Sequence, residues 1–343
     1  VHWLARVFSV RTLGLMGCSE TPGTGGSGGD GGVGGDGGDG GNGGTMGQEF
    51  PCTEQGIRDA IALGGGPHTF GSCEAPLAIT ESVGIENDVI LDGEGALVID
   101  GTGLEGAPAV VVFHQDTTAE LRRLMVVTGD FFCPKACDAV YSEGTLTLIQ
   151  TAVSSSYGGI GNSGSLSVVE STVSADDGSG IGGEGSVVLT NSTVSGNYTG
   201  IGAEGSVVLT NSTVLGGVVG NPDEGPALTA TSSIIVGACV DMLVTSTGYN
   251  IESPGDTCGF AEPPDQVTVS ADDLKLGPLQ DNGGPTMTHA LGAGSVAIDH
   301  IPAVNCVDAE GAPLTTDQRG EPRPVAIVGP EPKCDVGAFE LQP

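Results

Sequence analysis

Apolar residues return on a period of about twenty between residues 139 and 236. Val153, Val173, Val194, Val214 and Ile234 are separated by 20, 21, 20 and 20 positions. Seven places before each stand Leu146, Leu166, Val187, Val207 and Ala227, and five places before stand Leu148, Val168, Leu189, Leu209 and Thr229. Alternation within a copy marks a strand, and its return once per period means that each strand lies against its own copy in the next repeat. Strands one chain turn apart run in the same direction, so the sheets are parallel. The expected fold is all-β, a single-stranded parallel β-helix whose coils rise about 4.8 Å each.

Each period also returns a glycine, Gly144, Gly164, Gly185, Gly205 and Gly225, expected at a turn of positive φ. Before them Val140, Ile160, Ile181 and Ile201 read as inward anchors of a further short strand. The turns carry Gln150, Glu170, Asn191, Asn211 and Thr231, followed by hydroxyl residues such as Ser192-Thr193, and the asparagines are expected to ladder side chain to side chain. Three stretches, beginning at Gly159, Gly180 and Gly200, match the dinucleotide motif G-x-G-x-x-G. That motif requires a helix after it, and here a strand such as Ser186-Val187-Val188-Leu189 follows, so these copies belong to the repeat.

Upstream, Asp88 to Gly93, Ala96 to Gly101 and Leu121 to Val127 read as earlier, irregular coils, with an insertion between Thr128 and Asp138. Thr53 to Leu63 has helical spacing of Ile57, Ala60, Ile61 and Leu63, suited to an N-terminal cap over the exposed strand edges of the first coil. The β-helix is expected over 49–263. A non-repeating C-terminal cap is expected over 264–343, with Asp281 to Pro285 as a turn and Arg319 in a structural ion pair near Asp317.

The chain has 10 basic and 43 acidic residues, a net charge of −33, which excludes nucleic acid as a partner and favours cations. Its single tryptophan is Trp3, so indole platforms for sugar stacking are missing from the body of the protein. Eight cysteines fall in local pairs, Cys52/Cys73, Cys133/Cys137, Cys239/Cys258 and Cys306/Cys334. An even set of this kind points to disulfides in an oxidising compartment; sequential pairing is the working hypothesis among the 105 arrangements eight cysteines allow. Zinc at Cys133 and Cys137 is the weaker alternative, because no second pair of ligands is near in sequence.

Residues 1–17 read as a signal peptide ending Leu15-Met16-Gly17 before Cys18, which resembles the bacterial lipobox, so lipid on Cys18 is expected to tether the chain to a membrane. Residues 18–48 are Gly-rich, and from Thr21 to Gly47 they form a flexible spacer with a reach of roughly 30 Å. The expected location is outside the cytoplasm, at the outer membrane or cell surface.

The segment from Cys52 to Asp100 resembles the start of bacterial right-handed parallel β-helix surface proteins, where a helix like Gly56 to Ile61 leads into strands ending Leu91-Asp92-Gly93. The C-terminal motifs are similar to those of the choice-of-anchor Q domain: Leu276-Gly277-Pro278-Leu279, Asp281 to Thr286, Thr288-His289-Ala290-Leu291, Ala297-Ile298-Asp299, Thr316 to Gly320, Arg323-Pro324 and Cys334 to Glu340. The resemblance implies a right-handed helix and surface display, and names no reaction. Proteins of that family attach through C-terminal signals; here the sequence ends three residues after Glu340, and the lipobox is expected to supply the anchor.

Two function classes follow. A displayed structural or adhesive scaffold without catalytic activity, with a surface glycan or protein as ligand, fits the tether, spacer and acidic column. An extracellular polysaccharide lyase or glycoside hydrolase of pectate-lyase-like fold fits the architecture, yet the sequence has no Lys or Arg between Lys135 and Lys275 to hold a polyanion. Asp176-Asp177, the adjacent acidic pair of the repeats, sits at the one-residue expansion and reads as a solvated turn. Glu184, Glu204 and Glu224, with Glu143 beyond Ser163, fall in one column at about 4.8 Å spacing. This ridge reads as solubilising, with weak calcium binding at Glu184, Glu204 and Glu224 as the alternative and no other cofactor expected.

Overall fold

The computed structural model describes residues 46–104, 106–129, 138–223, 225–308 and 310–343. The leader 1–17, the lipidation site Cys18, most of the spacer 18–48, Cys133, Cys137 and Glu224 lie outside the described residues.

Each coil contributes three short strands, and their copies stack into three wholly parallel sheets of ten, eight and nine strands among the described residues. The first sheet includes Thr145–Ile149, Ser165–Val169, Ser186–Thr190 and Val207–Thr210. The second includes Ala152–Ser155, Thr172–Ala175, Thr193–Gly196 and Thr213–Leu215. The third includes Gly158–Asn162, Ser179–Gly183 and Thr199–Ala203. The chain is a parallel β-helix, and ten strands at about 4.8 Å make the first sheet roughly 43 Å tall. Inside it the predicted apolar columns are buried: Leu146, Leu148, Val153 and Ile160 in one coil, Val187, Leu189, Val194 and Ile201 in a later one. Removing each such side chain from water contributes about 1.5–3 kcal/mol.

The last repeat departs from the expected alignment by one residue. Val207 pairs with Leu228 and Val214 with Ile235, so Leu228, Ala230 and Ile235 are the inward residues in place of Ala227, Thr229 and Ile234. Ile234 instead joins a second core made with the C-terminal block. The shift follows a longer connection: Gly202 pairs with Val219 and Val207 with Leu228, so nine positions do the work of five.

The repeat glycines are also needed for a different reason than expected. Gly144, Gly164, Gly185 and Gly205 do not have positive φ; among the five only Gly225 does, at 56°. A Cβ on Gly164 would stand 2.0 Å from the Gly144 carbonyl oxygen, and one on Gly185 2.2 Å from that of Gly164. Here the backbone of one coil lies directly on the next.

A left-handed residue marks the corner between the first and second sheets in successive coils: Arg123, Gln150, Glu170, Asn191, Asn211 and Ser232, with φ of 47–52°. Turning there moves the next backbone N–H out of the ladder. The orphaned donors are met by serines of the following coil: Thr151 N donates to Ser171 Oγ (3.0 Å), Ser171 N to Ser192 Oγ (3.2 Å), Ser192 N to Ser212 Oγ (3.3 Å) and Ser212 N to Ser233 Oγ (3.2 Å). Each hydroxyl then donates to the carbonyl two residues back, as Ser192 does to Thr190 at 2.8 Å. The buried ladder is therefore built of serines, and the expected asparagine ladder is not formed. Asn191 Nδ2 and Asn211 Nδ2 point outward to the carbonyls of Thr316 and Val307.

The predicted N-terminal helix is Glu54–Leu63, capped by Thr53 Oγ1 accepting from Gly56 N at 3.0 Å, with Ile57, Ala60 and Ile61 buried over the first coils. Leu121 to Val127 forms two strands, Thr118–Arg122 and Met125–Thr128, broken at left-handed Arg123. Three disulfides follow the sequential pairing: Cys52–Cys73, Cys239–Cys258 and Cys306–Cys334. Closing loops of this length contributes about 3 kcal/mol each.

Replacing Ser192 with Ala leaves the Ser171 N–H buried without a partner, so chemical denaturation should show a loss of about 1–3 kcal/mol. Ser154→Ala, on the outer face of the second sheet, should change stability by less than about 0.5 kcal/mol.

Candidate functional site

Outward-facing residues of the second sheet stack as a file along the column: Ser154, Ser174 and Ser195, then Leu215 and Val236. Strand pleating dictates this, since Val153, Val173 and Val194 next to the serines point inward. The file is the floor of a groove of about 580 Å³. Leu279 and Met287 form one wall, and Asp176 and Asn197 stand on the opposite rim. Four coil steps give the floor a length of about 19 Å.

The wall comes from a hairpin of Leu276–Gln280 and Thr288–Leu291, joined through the predicted turn, in which Gly283 and Gly284 have φ of 89° and 83°. The C-terminal block runs along the side of the column, bonded to corner after corner. Gln318 is fully buried and holds the hairpin to two coils. Its Nε2 donates to Thr172 Oγ1 and Thr286 Oγ1, both at 2.8 Å, and its Oε1 accepts from Thr193 Oγ1 at 2.6 Å. Further along, Ala338 N donates to Thr213 Oγ1 and Gly337 N to the Ser232 carbonyl.

Two arginines lock the block internally. Arg319 pairs with Asp317 (2.7 Å), donates to the Glu340 carbonyl and lies 3.8 Å over the Phe339 ring. Its expected structural ion pair is therefore formed. Arg323 pairs with Glu340 at 2.8 Å with both side chains fully buried, and donates to the carbonyls of Asp335 and Gly337. Asp335 accepts from Asp299 N and Leu341 N. Burial, and then the neighbouring Glu340 charge, push the Asp335 carboxyl up to about 7.

At the rim, the groove meets the turn between the second and third sheets. In successive coils this turn reads Ser156-Tyr157, Asp176-Asp177-Gly178 and Asn197-Tyr198, so the expanded acidic turn lies between two tyrosines. Tyr198 N donates to the Gly178 carbonyl, and a Cβ on Gly178 would stand 2.1 Å from the Tyr157 carbonyl oxygen. Tyr157 is 51% and Tyr198 82% exposed. These phenols do not appear among the sequence-predicted residues. The signal was present, because Tyr157 and Tyr198 are separated by 41 residues, the sum of a 20- and a 21-residue step.

The other predicted residues lie elsewhere. Glu184 and Glu204 are exposed neighbours, placed by the Gly183–Ala203 pairing beside a shallow depression that includes Asn221 and Pro222. Among the described residues no group of three His, Cys, Asp or Glu side chains is arranged to hold a metal ion. His289 Nδ1 meets the Gly277 carbonyl and His300 Nε2 that of Pro264, so both imidazoles face backbone. Burial lowers the His289 pKa. Asp138, at the start of a third-sheet strand, lies against Gly158 and Gly161, and burial pushes its carboxyl up to about 6.

The chain matches no family model, no curated protein and no solved structure.

A carboxyl whose pKa rises on folding binds its proton more tightly in the native chain. Its stabilisation is complete below the unfolded value, near 3.8 for Asp, and is lost as pH rises through the folded value. Unfolding free energy should therefore fall between about pH 4 and pH 7, and Asp335→Asn should flatten that slope, measured by urea denaturation across the range.

Proposed function

We propose that this chain is a non-catalytic adhesive scaffold, exported and held at the cell surface by lipid on Cys18, which binds its ligand in the groove between the second sheet and the C-terminal hairpin. The observation that carries this reading is the groove itself: a hydroxyl-lined floor with an apolar wall, held rigid by Gln318 and opening on a rim with exposed tyrosines. A serine file offers donors and acceptors at regular spacing, and the wall excludes water from one side of a bound chain. The motifs from Leu276 to Glu340, on which the likeness to choice-of-anchor Q surface proteins rests, supply the hairpin and its lock.

The lyase or hydrolase alternative asks for a basic group and paired carboxylates over a substrate cleft. Among the described residues the carboxyls with raised pKa are Asp335 and Glu340 within the C-terminal block and Asp138 on the third sheet, away from the groove floor. The Glu184, Glu204 and Glu224 ridge serves as a solubilising edge on this reading, and weak calcium binding there is the alternative.

A glycan and cell-surface extract screen with the full chain should find a ligand whose binding is lost in Ser174→Trp, which fills the groove, while uronic-acid polymers stay intact. Product release from those polymers would replace the scaffold by an enzyme. Palmitate labelling should vanish in Cys18→Ala, and the melting temperature should be unchanged by millimolar calcium if the ridge is only solubilising.

A further inference from the structure

We infer that the groove takes a chain of amine-bearing hexosamines, one sugar ring seated over the Asp176-Asp177-Gly178 turn between Tyr157 and Tyr198. This rests on the groove being the ligand site. Three observations on the rim define the class of ligand.

The first is the slot. Tyr157 and Tyr198 belong to coils two steps apart, about 10 Å along the column. That spacing is enough for one ring to sit between the two phenols with stacking contacts of about 3.5–4 Å on each side. Gly178 keeps the floor of the slot at backbone height, since any side chain there meets the Tyr157 carbonyl. Both phenols are well exposed, and neither hydroxyl is bonded to another described group. A pyranose ring, with C–H bonds on its faces and hydroxyls at its edge, suits a pair of rings that are apolar on the face and polar at the tip.

The second is charge. Asp176 and Asp177 are both exposed and stand in the slot's own turn. Neither forms an ion pair with a described residue, and the sequence has no Lys or Arg between Lys135 and Lys275 to neutralise them. In a chain of net charge −33 this repels uronates and sulfated glycans and draws in cations. An ammonium on the sugar meets the carboxylates and lies within reach of the aromatic faces, which attract cations in turn. A neutral sugar leaves the charge of the turn unanswered.

The third is continuity. Asp176 and Asn197 border both the slot and the serine floor, so further units of a chain can lie along Ser174 and Ser195 under Met287. The slot therefore selects the amine, and the groove holds the polymer.

Titration calorimetry on the full chain carrying Cys18→Ala, with a glucosamine tetramer, its N-acetylated form and a cello-tetramer, tests the assignment. The free-amine tetramer should bind at least about tenfold more tightly than either neutral chain, and Tyr157→Ala, Tyr198→Ala and the pair Asp176→Asn/Asp177→Asn should each weaken it about tenfold. Melting temperatures should stay unchanged, because all four side chains are at the surface. Equal affinity for amine and acetylated chains, still lost on tyrosine removal, would overturn the amine assignment and leave the groove standing. Binding that ignores both tyrosine variants and disappears with salt is surface charge alone and overturns the slot. No binding of any of the three chains overturns the hexosamine assignment, while the groove as a ligand site falls only if the ligand found by the wider screen is indifferent to Ser174→Trp.

Discussion

The column depends on a hydrogen bond from a backbone N–H in one coil to a serine hydroxyl in the next. From Arg123 to Ser232, successive coils turn between the first and second sheets through one left-handed residue. That conformation breaks the ladder and leaves a donor facing the interior, where an unmet N–H costs about 1–3 kcal/mol. Ser171, Ser192, Ser212 and Ser233 remove that cost at consecutive levels, and Asn250 Oδ1 continues the series by accepting from Ser233 N. Because each serine belongs to the coil after the one it serves, the coils are bonded into a single cooperative stack.

The same corner determines where the C-terminal block can lie. Left-handed Asn191 and Asn211 project away from the core, and their amides reach carbonyls of the block at Thr316 and Val307. Thr172, Thr193 and Thr213, two residues after the corner, present hydroxyls to Gln318 and Ala338. The block is thus registered on the repeat by its own period, which is why its hairpin reaches the second sheet at the height that walls a groove. The buried Arg323–Glu340 pair sits inside the block and ties its strand ends together; it supports the wall without touching the groove.

Much of this was legible from residue order. Leu146, Leu148, Val153 and Ile160 were readable as inward because alternation and a twenty-residue return leave one arrangement of strands that buries them all. The helical spacing of Ile57, Ala60 and Ile61 announced the helical cap, and local cysteine spacing agreed with the three disulfides seen. The one-residue slip at Ala227 and Ile234 was hidden, because either alignment places an apolar residue at the first and last inner positions, Ala227 or Leu228 and Ile234 or Ile235. The role of Gly164 was misjudged, since a glycine kept for backbone contact and one kept for positive φ look alike in a sequence.

By itself the sequence determined the repeat, and with it the parallel stack and a stretch between Lys135 and Lys275 without Lys or Arg, because a period of side-chain chemistry translates directly into a period of structure. The tertiary structure alone decided that the C-terminal block flanks the column and encloses a groove, because that contact joins residues more than a hundred positions apart, such as Thr172 and Gln318. It also decided that Asp176 and Asp177 stand between two tyrosines. In the sequence the pair was an irregular turn, and only stacking the coils puts it at the level between Tyr157 and Tyr198.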